Sequence, residues 1–191
     1  KRQGEIYLNG LEQFDMIVRS PGVPLLTPEI QRAKKSGVEV TSPTKLYFKH
    51  TKGTVVGITG TKGKGTTATM LYQILKKAGK DVWLVGNIGK PALDVLPKLK
   101  KTSIVIYELS SFQLQDLDQS PRIAVVLEIA PDHLDHHRSM KEYVDAKANI
   151  AQYQKKGDTV FYSKENKYAR AIAQKSKGKK SNELLLIEIT S

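Results

Sequence analysis

Cysteine is absent from this sequence, which excludes a disulfide framework and a thiolate zinc site and fits a reducing compartment. No apolar run approaches the roughly 18 residues that a membrane-spanning helix needs. The first residues, KRQGEIYLNG, lack the apolar stretch of a secretory leader, so none is expected. Aromatic residues make up only 7% of the chain, and no basic helix carries them interleaved, as a nucleic-acid-binding face would. Acidic residues are also in deficit, 19 against 31 Lys and Arg, for a formal net charge of +12. The excess cations are scattered, densest at QKSKGKK near the end, and read as a solvated surface. What remains is ordinary for a globular protein: 191 residues, 39% hydrophobic and 26% charged, enough for one good core or for one domain and part of another. The chain begins on Lys1 rather than Met and is read as cut from something longer.

Strand-like and helix-like segments alternate. FDMIV reads as a short buried strand, RSPGVP as a turn, and Pro28 to Ser36 as a helix stopped by Gly37. VEVT and GTVVGIT are the next strands, and TSPTKLYFKHTKG between them is taken as a linker. Beyond a glycine-rich loop, Leu71, Ile74, Leu75 and Ala78 recur at helical spacing before Gly79. DVWLV, SIVIYEL, IAVVLEI, DTVFY and ELLLIEI read as further strands, with short helices at PALDVLPKLK and from Tyr168 to Lys175. The clearest helix runs from Ser139 to Tyr153. Ser139 and Glu142 have capping-box spacing there, and Met140, Tyr143, Lys147 and Ile150 share a face. Such alternation predicts an α/β fold with a mostly parallel sheet covered on both sides.

Four places carry chemistry. GITGTKGKGTT, Gly57 to Thr67, joins a strand to a helix, the setting in which backbone N–H groups and a helix N-terminus face phosphate oxygens. Against the pattern G-x-x-x-x-G-K-[ST], Gly57, Gly63 and Lys64 are read as its glycines and lysine. Gly65 stands where the Mg²⁺-binding hydroxyl belongs, with Thr66 and Thr67 following. The expected nucleotide contacts are Gly60, Thr61, Lys62, Gly63, Lys64, Gly65 and Thr66; a plain strand-to-helix turn is the weaker reading. In YELSSFQL, Glu108 ends a strand where open α/β folds bind ligands. It is read evenly as a hard oxygen ligand for Mg²⁺ or as a salt-bridged strand end. In APDHLDHH, Asp132, His133, Asp135, His136 and His137 crowd together. A metal–phosphate site is favoured there over zinc, since neither cysteine nor a second spaced histidine pair is present. Lys147 sits on the apolar stripe of its helix. It either snorkels outward, or is held inward with a lowered pKa, where its amine can react, for example with CO₂.

Together SPGVP (Ser20–Pro24), GITGTKGKGTT, VGNIGKPALD (Val85–Asp94), YELSSFQL (Tyr107–Leu114) and PDHLDHH with SMKEYVDAKANI (Ser139–Ile150) resemble the Mur ligase family. They stand in family order and cover most of residues 16 to 150, and GNIG-PALD with ELSSFQL points to its D-glutamate-adding branch. The resemblance implies a phosphate-loop ATPase domain preceded by the tail of a Rossmann-like domain. Residues 1–42 would be the end of the uridine-nucleotide-binding domain, and 43–191 an incomplete central ATP-binding domain. The C-terminal D-glutamate-binding domain is expected to be absent, so this stretch alone is expected not to complete the reaction.

That reaction would be the ATP-dependent ligation of D-glutamate to UDP-N-acetylmuramoyl-L-alanine through an acyl phosphate. It is a cytoplasmic step of peptidoglycan precursor synthesis, and so serves cell-wall biogenesis, cell shape and cell division. Carried over by motif, Lys64 binds phosphates, Glu108 and Thr66 bind Mg²⁺, and His133 helps hold a second Mg²⁺. Lys147 would be carbamylated and help organise the metals, and Asn87, Ser110 and Gln113 would contact the muramoyl substrate. A monomer is expected, with no nucleic-acid or membrane partner. The sequence departs from the family at Gly65 and at Glu128, where relatives carry asparagine. Two rivals stay open: another Mur-type or folylpolyglutamate-synthase-like amide ligase, against which GNIG and ELSSFQL count, and a non-catalytic nucleotide-binding module, for which Gly65 is the best support.

Overall fold

The computed structural model describes residues 7–182. A two-stranded parallel sheet comes first, β1 (Met16–Val18) beside β2 (Glu39–Thr41), connected through helix α1 (Pro28–Lys35). Helix α2 (Pro43–His50) follows, and then a six-stranded sheet. Its strands are β3 (Thr54–Thr59), β4 (Val82–Gly86), β5 (Ile104–Glu108), β6 (Ile123–Val126), β7 (Thr159–Tyr162) and β8 (Lys179–Ser181), in the spatial order β4-β5-β3-β6-β7-β8. All its ladders are parallel among the described residues. The expectation of a parallel α/β sheet therefore holds.

Period-two alternation explains why the sheet is covered on both faces. Val56, Ile58, Ile106 and Val125 pack beneath helix α3 (Lys64–Lys77) through Ala68, Leu71 and Leu75. Their neighbours Val55, Val105, Tyr107 and Val126 face the other way, onto α6 (Met140–Gln152) and α7 (Lys167–Gln174) through Tyr143, Ile150 and Ile172. Each fully buried aliphatic side chain contributes about 1.5–3 kcal/mol, so both layers are needed. The chain leaves β3 toward β4 on one side and crosses to β6 on the other. The reversal beside β3 opens a crevice at the carboxyl ends of β3, β5 and β6.

Residues 41–53 are not a linker. Ser42 caps α2, its hydroxyl accepting the Lys45 N–H at 3.3 Å, and Pro43 occupies the first turn, so the Ser-Pro pair that reads as a turn is a helix start. Tyr47 is fully buried, its ring edge-on to Tyr107 at 5.2 Å, and Phe48 stacks on Tyr107 at 6.1 Å. Burial pushes the Tyr47 phenol up to about 12. PALDVLPKLK forms a shorter α-helix, α4 (Ala92–Val95), continued by a 3-10 turn. IAVVLEI is a strand only to Val126, because the backbone then turns to bond the phosphate loop, with Thr61 N–H donating to the Glu128 carbonyl at 2.8 Å. The capping box at α6 is half made: Ser139 accepts the Glu142 N–H, but the Glu142 carboxylate accepts the N–H of Arg138. A complete box, Ser110 with Gln113, instead starts the short helix α5 (Ser111–Leu114). The expected strand ELLLIEI lies outside the described residues.

Candidate active site

The loop between β3 and α3 starts at Gly60 and ends at Gly63, whose backbone takes φ 80°, a conformation natural to glycine. Gly57 is not part of it. It lies inside β3, one residue too far upstream for the loop pattern, and a β-carbon there would meet Pro121 at 2.7 Å; close packing explains that glycine. Lys64, the first residue of α3, turns its Nζ back onto the Thr61 carbonyl at 2.9 Å. Thr61 ties the loop to the segment after β6. Its hydroxyl donates to the Ala130 carbonyl at 3.0 Å and accepts the Ala130 N–H at 2.9 Å. Its one proton is then committed, so the Tyr143 hydroxyl, 3.2 Å away, donates to it.

Lys147 does not snorkel. It is 2% exposed, and its Nζ donates to the Gly60 carbonyl at 2.9 Å and to the Thr59 hydroxyl at 3.4 Å. The amine also lies 4.6 Å from the centre of the Tyr143 ring. Burial pushes this lysine down to about 7, and the nearby charge of Lys64 adds to the shift, while Asp132 and Glu108 oppose it. A large share of the amine is therefore neutral at physiological pH and can act as a nucleophile.

Glu108 ends β5, in register with Ile58 of β3 and Gly86 of β4. It is 6% exposed, and among the described residues it makes no salt bridge and its Oε2 has no hydrogen-bond partner. A buried carboxylate oxygen left unpaired costs roughly 1–3 kcal/mol or more, and a hard cation such as Mg²⁺ would satisfy it. Among the described residues no three His, Cys, Asp or Glu side chains converge on one point. A magnesium ion completed by phosphates and water needs only one or two protein carboxylates, which Glu108 fits.

The histidine cluster divides. His133 is half exposed, with the left-handed φ of 51°, and its ring lies 3.6 Å from the Asp132 carboxylate. His136 and Asp135 are exposed. His137 is buried, its Nε2 3.0 Å from the Ser111 hydroxyl and its ring stacked on Phe112 at 5.3 Å. Burial lowers its pKa. Phe112 also meets the rings of His133 and His136, at 5.1 and 4.8 Å, so the ELSSFQL and PDHLDHH segments pack as one body. Ser110 and Gln113 bond each other's backbone N–H groups, which leaves the serine proton and the Gln113 amide NH₂ free to donate. Asn87 is exposed in the turn after β4, and Thr66 is exposed on α3. A cavity of about 710 Å³ lies between Pro24–Thr27 and α6, lined by Phe112, His136 and His137 of this cluster and by Arg138, Lys141 and Asp145; neither Lys64 nor Glu108 borders it.

Sequence reasoning missed Tyr143 as a partner of the loop. It also missed Arg19, whose guanidinium is 3.0 Å from Asp116. The stripe position of Tyr143, one turn before Lys147, was the available signal for the first; nothing local pairs residues 97 apart.

The parallel sheet and its strand–loop–helix unit define a phosphate-loop α/β protein. The profile of the Mur ligase middle domain matches residues 58–190, and that of the MurD-like N-terminal domain matches residues 2–42; the chain belongs to the Mur ligase family. It is 44% identical over 175 residues to the UDP-N-acetylmuramoylalanine–D-glutamate ligase of Acetivibrio thermocellus, covering 92% of this chain and 38% of that enzyme. The enzyme of the same name from Clostridium kluyveri is 38% identical over 176 residues, with the same coverage. The chain thus spans 38% of the length of these relatives. Among solved structures, MurF from Acinetobacter baumannii superposes with a TM-score of 0.56 at 20% identity, over 72% of this chain and 32% of its own, a likeness of fold.

Proposed function

We propose that this chain supplies the nucleotide-binding and carboxylate-activating part of the ligation of D-glutamate to UDP-N-acetylmuramoyl-L-alanine, a cytoplasmic step of peptidoglycan precursor synthesis. Residues 1–42 are read as the end of a uridine-nucleotide-binding unit and 43–191 as the central ATP-binding unit, working as a monomer. The observation that carries this reading is Lys147 of α6, buried against the end of β3 with its Nζ 2.9 Å from the first carbonyl of the phosphate loop and in the electrostatic field of Glu108, whose Oε2 is unpaired among the described residues.

In the first step the L-alanine carboxylate attacks the γ-phosphorus of ATP and ADP leaves. In the second, the D-glutamate amine attacks the acyl phosphate carbon, phosphate leaves, and an amide forms. Two anions must meet in the first step. Lys64 and the N–H groups of the loop offset their repulsion. Magnesium, when bound by Glu108 and at a second position by His133, supplies further charge neutralisation. The neutral Lys147 amine adds to CO₂ and loses a proton, so that a neutral group becomes an anion suited to a metal-rich site. Ser110 and Gln113 keep free donors for the muramoyl substrate, and Asn87 approaches it from the turn after β4.

Calorimetric titration of Mg·ATP is expected to show saturable binding that Lys64→Met weakens about tenfold or more. With ¹³C-bicarbonate, a carbamate resonance is expected that Lys147→Arg removes. Absence of ATP binding, or binding indifferent to Lys64, would overturn the nucleotide-site reading.

A further inference from the structure

Gly65, just past the loop, stands where the pattern has a hydroxyl residue, and the fold does not explain it. As the second residue of α3, a glycine gains the helix nothing over alanine. Its backbone is not among those with positive φ, unlike that of Gly63. A β-carbon at 65 would meet only the Ile88 side chain, at 3.7 and 3.9 Å, which is ordinary van der Waals contact. Neither backbone conformation nor crowding calls for glycine here, so the consequence of the residue lies in what it does not offer the ligand.

Phosphate loops of this pattern place a Ser or Thr hydroxyl at this position, on the metal. Thr66 is next along the helix, but one residue turns a side chain by about 100°, and Thr66 is exposed to solvent. The oxygen the fold does direct inward is Glu108 Oε2, buried and unpartnered. Magnesium accepts such a site, since it commonly keeps several waters and takes only one or two protein carboxylates beside the nucleotide's phosphates.

We infer that Gly65 leaves the nucleotide-bound divalent ion one protein oxygen short, so that Glu108 and the phosphates carry it and water takes the hydroxyl's place. The inference rests on the nucleotide-site reading above. It makes Gly65 the position that sets how strongly Mg²⁺ reinforces nucleotide binding.

The test is calorimetric titration of ATP, in Mg²⁺ and in EDTA, into the wild-type chain, Gly65→Ser, Gly65→Ala and Thr66→Val. The ratio of the two affinities is the quantity to compare. It is expected to rise about tenfold in Gly65→Ser and to stay at the wild-type value in Gly65→Ala and Thr66→Val. Gly65→Ala carries the same relief of a helical glycine without a hydroxyl, so an equal rise there would overturn the inference. So would an unchanged ratio in Gly65→Ser, or a collapse of the ratio in Thr66→Val, which would make Thr66 the ligand. Thermal unfolding of both Gly65 variants should match or exceed wild type, which shows that each is folded. If ATP binds no variant, wild type included, in either condition, the nucleotide-site reading itself fails, and this inference with it.

Discussion

Arg19 and Lys147 are buried to the same depth, 2% exposed, and the chain treats them in opposite ways. Arg19 follows β1 and meets a carboxylate, Asp116, at 3.0 Å. It also donates to the carbonyls of Ser20, Pro21 and Val23, with only its Nε left over. Asp116 reaches Ser42 as well, at 3.5 Å, so one ion pair joins the SPGVP turn, the start of α2 and the segment after α5. Lys147 meets a carbonyl, a hydroxyl and a ring face, while a second cation, Lys64, raises the cost of its charge. A paired buried cation stays charged and holds pieces together. An unpaired one gives up its proton and becomes a reagent. Equal burial has opposite outcomes because a guanidinium keeps its proton in any surroundings, whereas a lysine amine without a carboxylate partner gives its proton up.

The contrast is most open to attack at the ion pair. Asp116→Ala strands the Arg19 charge and should cost about 3–5 kcal/mol, read by urea unfolding, with ATP affinity unchanged; a loss near zero would remove the structural role assigned to Arg19. Lys147→Met should act in the opposite sense. Replacing an amine that pays for its burial with an apolar chain of similar length should leave stability at pH 7 unchanged or raise it by up to about 2 kcal/mol, while abolishing carbamate formation. A clear destabilisation would make Lys147 a structural residue like Arg19.

The pH dependence tests the same lysine, on the same scale of about 2 kcal/mol between pH 7 and pH 9. Lys147 titrates near 7 in the folded chain against an ordinary value of 10.5, and it is faced by Lys64, Asp132 and Glu108. Between those values the unfolded chain binds more protons, so the contribution of Lys147 to stability rises with pH across that window and is least favourable below about 7. The stability advantage of Lys147→Met at pH 7 should therefore shrink at pH 9. An advantage that does not change with pH would mean that the lysine titrates normally.

Features set by short-range pattern were legible in the sequence. Apolar runs such as TVVGIT and IVIYE marked strands buried on both faces, and strand-loop-helix context identified the phosphate loop. The inward course of Lys147 could be posed from its place between Tyr143 and Ile150, although only burial decided it against snorkelling. Where two local signals carry the same letters, reading failed. Ser42-Pro43 can start a helix or break one, and only the pocket that receives Tyr47 selects the helix. Glycine at 57 and glycine at 60 look alike in the sequence, whereas one makes room for Pro121 and the other begins the loop. Ties across long separations left no trace: Arg19 with Asp116, Thr61 with Ala130, and His137 with Ser111. Ser110 and Gln113 stand at capping spacing and could have been read as a cap, as Ser139 and Glu142 were.

The Thr61 hydroxyl is bonded at once to both backbone groups of Ala130 and to Tyr143. Loop, β6 exit and α6 are thereby registered on a single oxygen atom, one helical turn from Lys147. A ligand that shifts the loop cannot do so privately. It must carry the lysine's helix with it or break three hydrogen bonds, so the anion cradle and the reactive amine are coupled through one threonine.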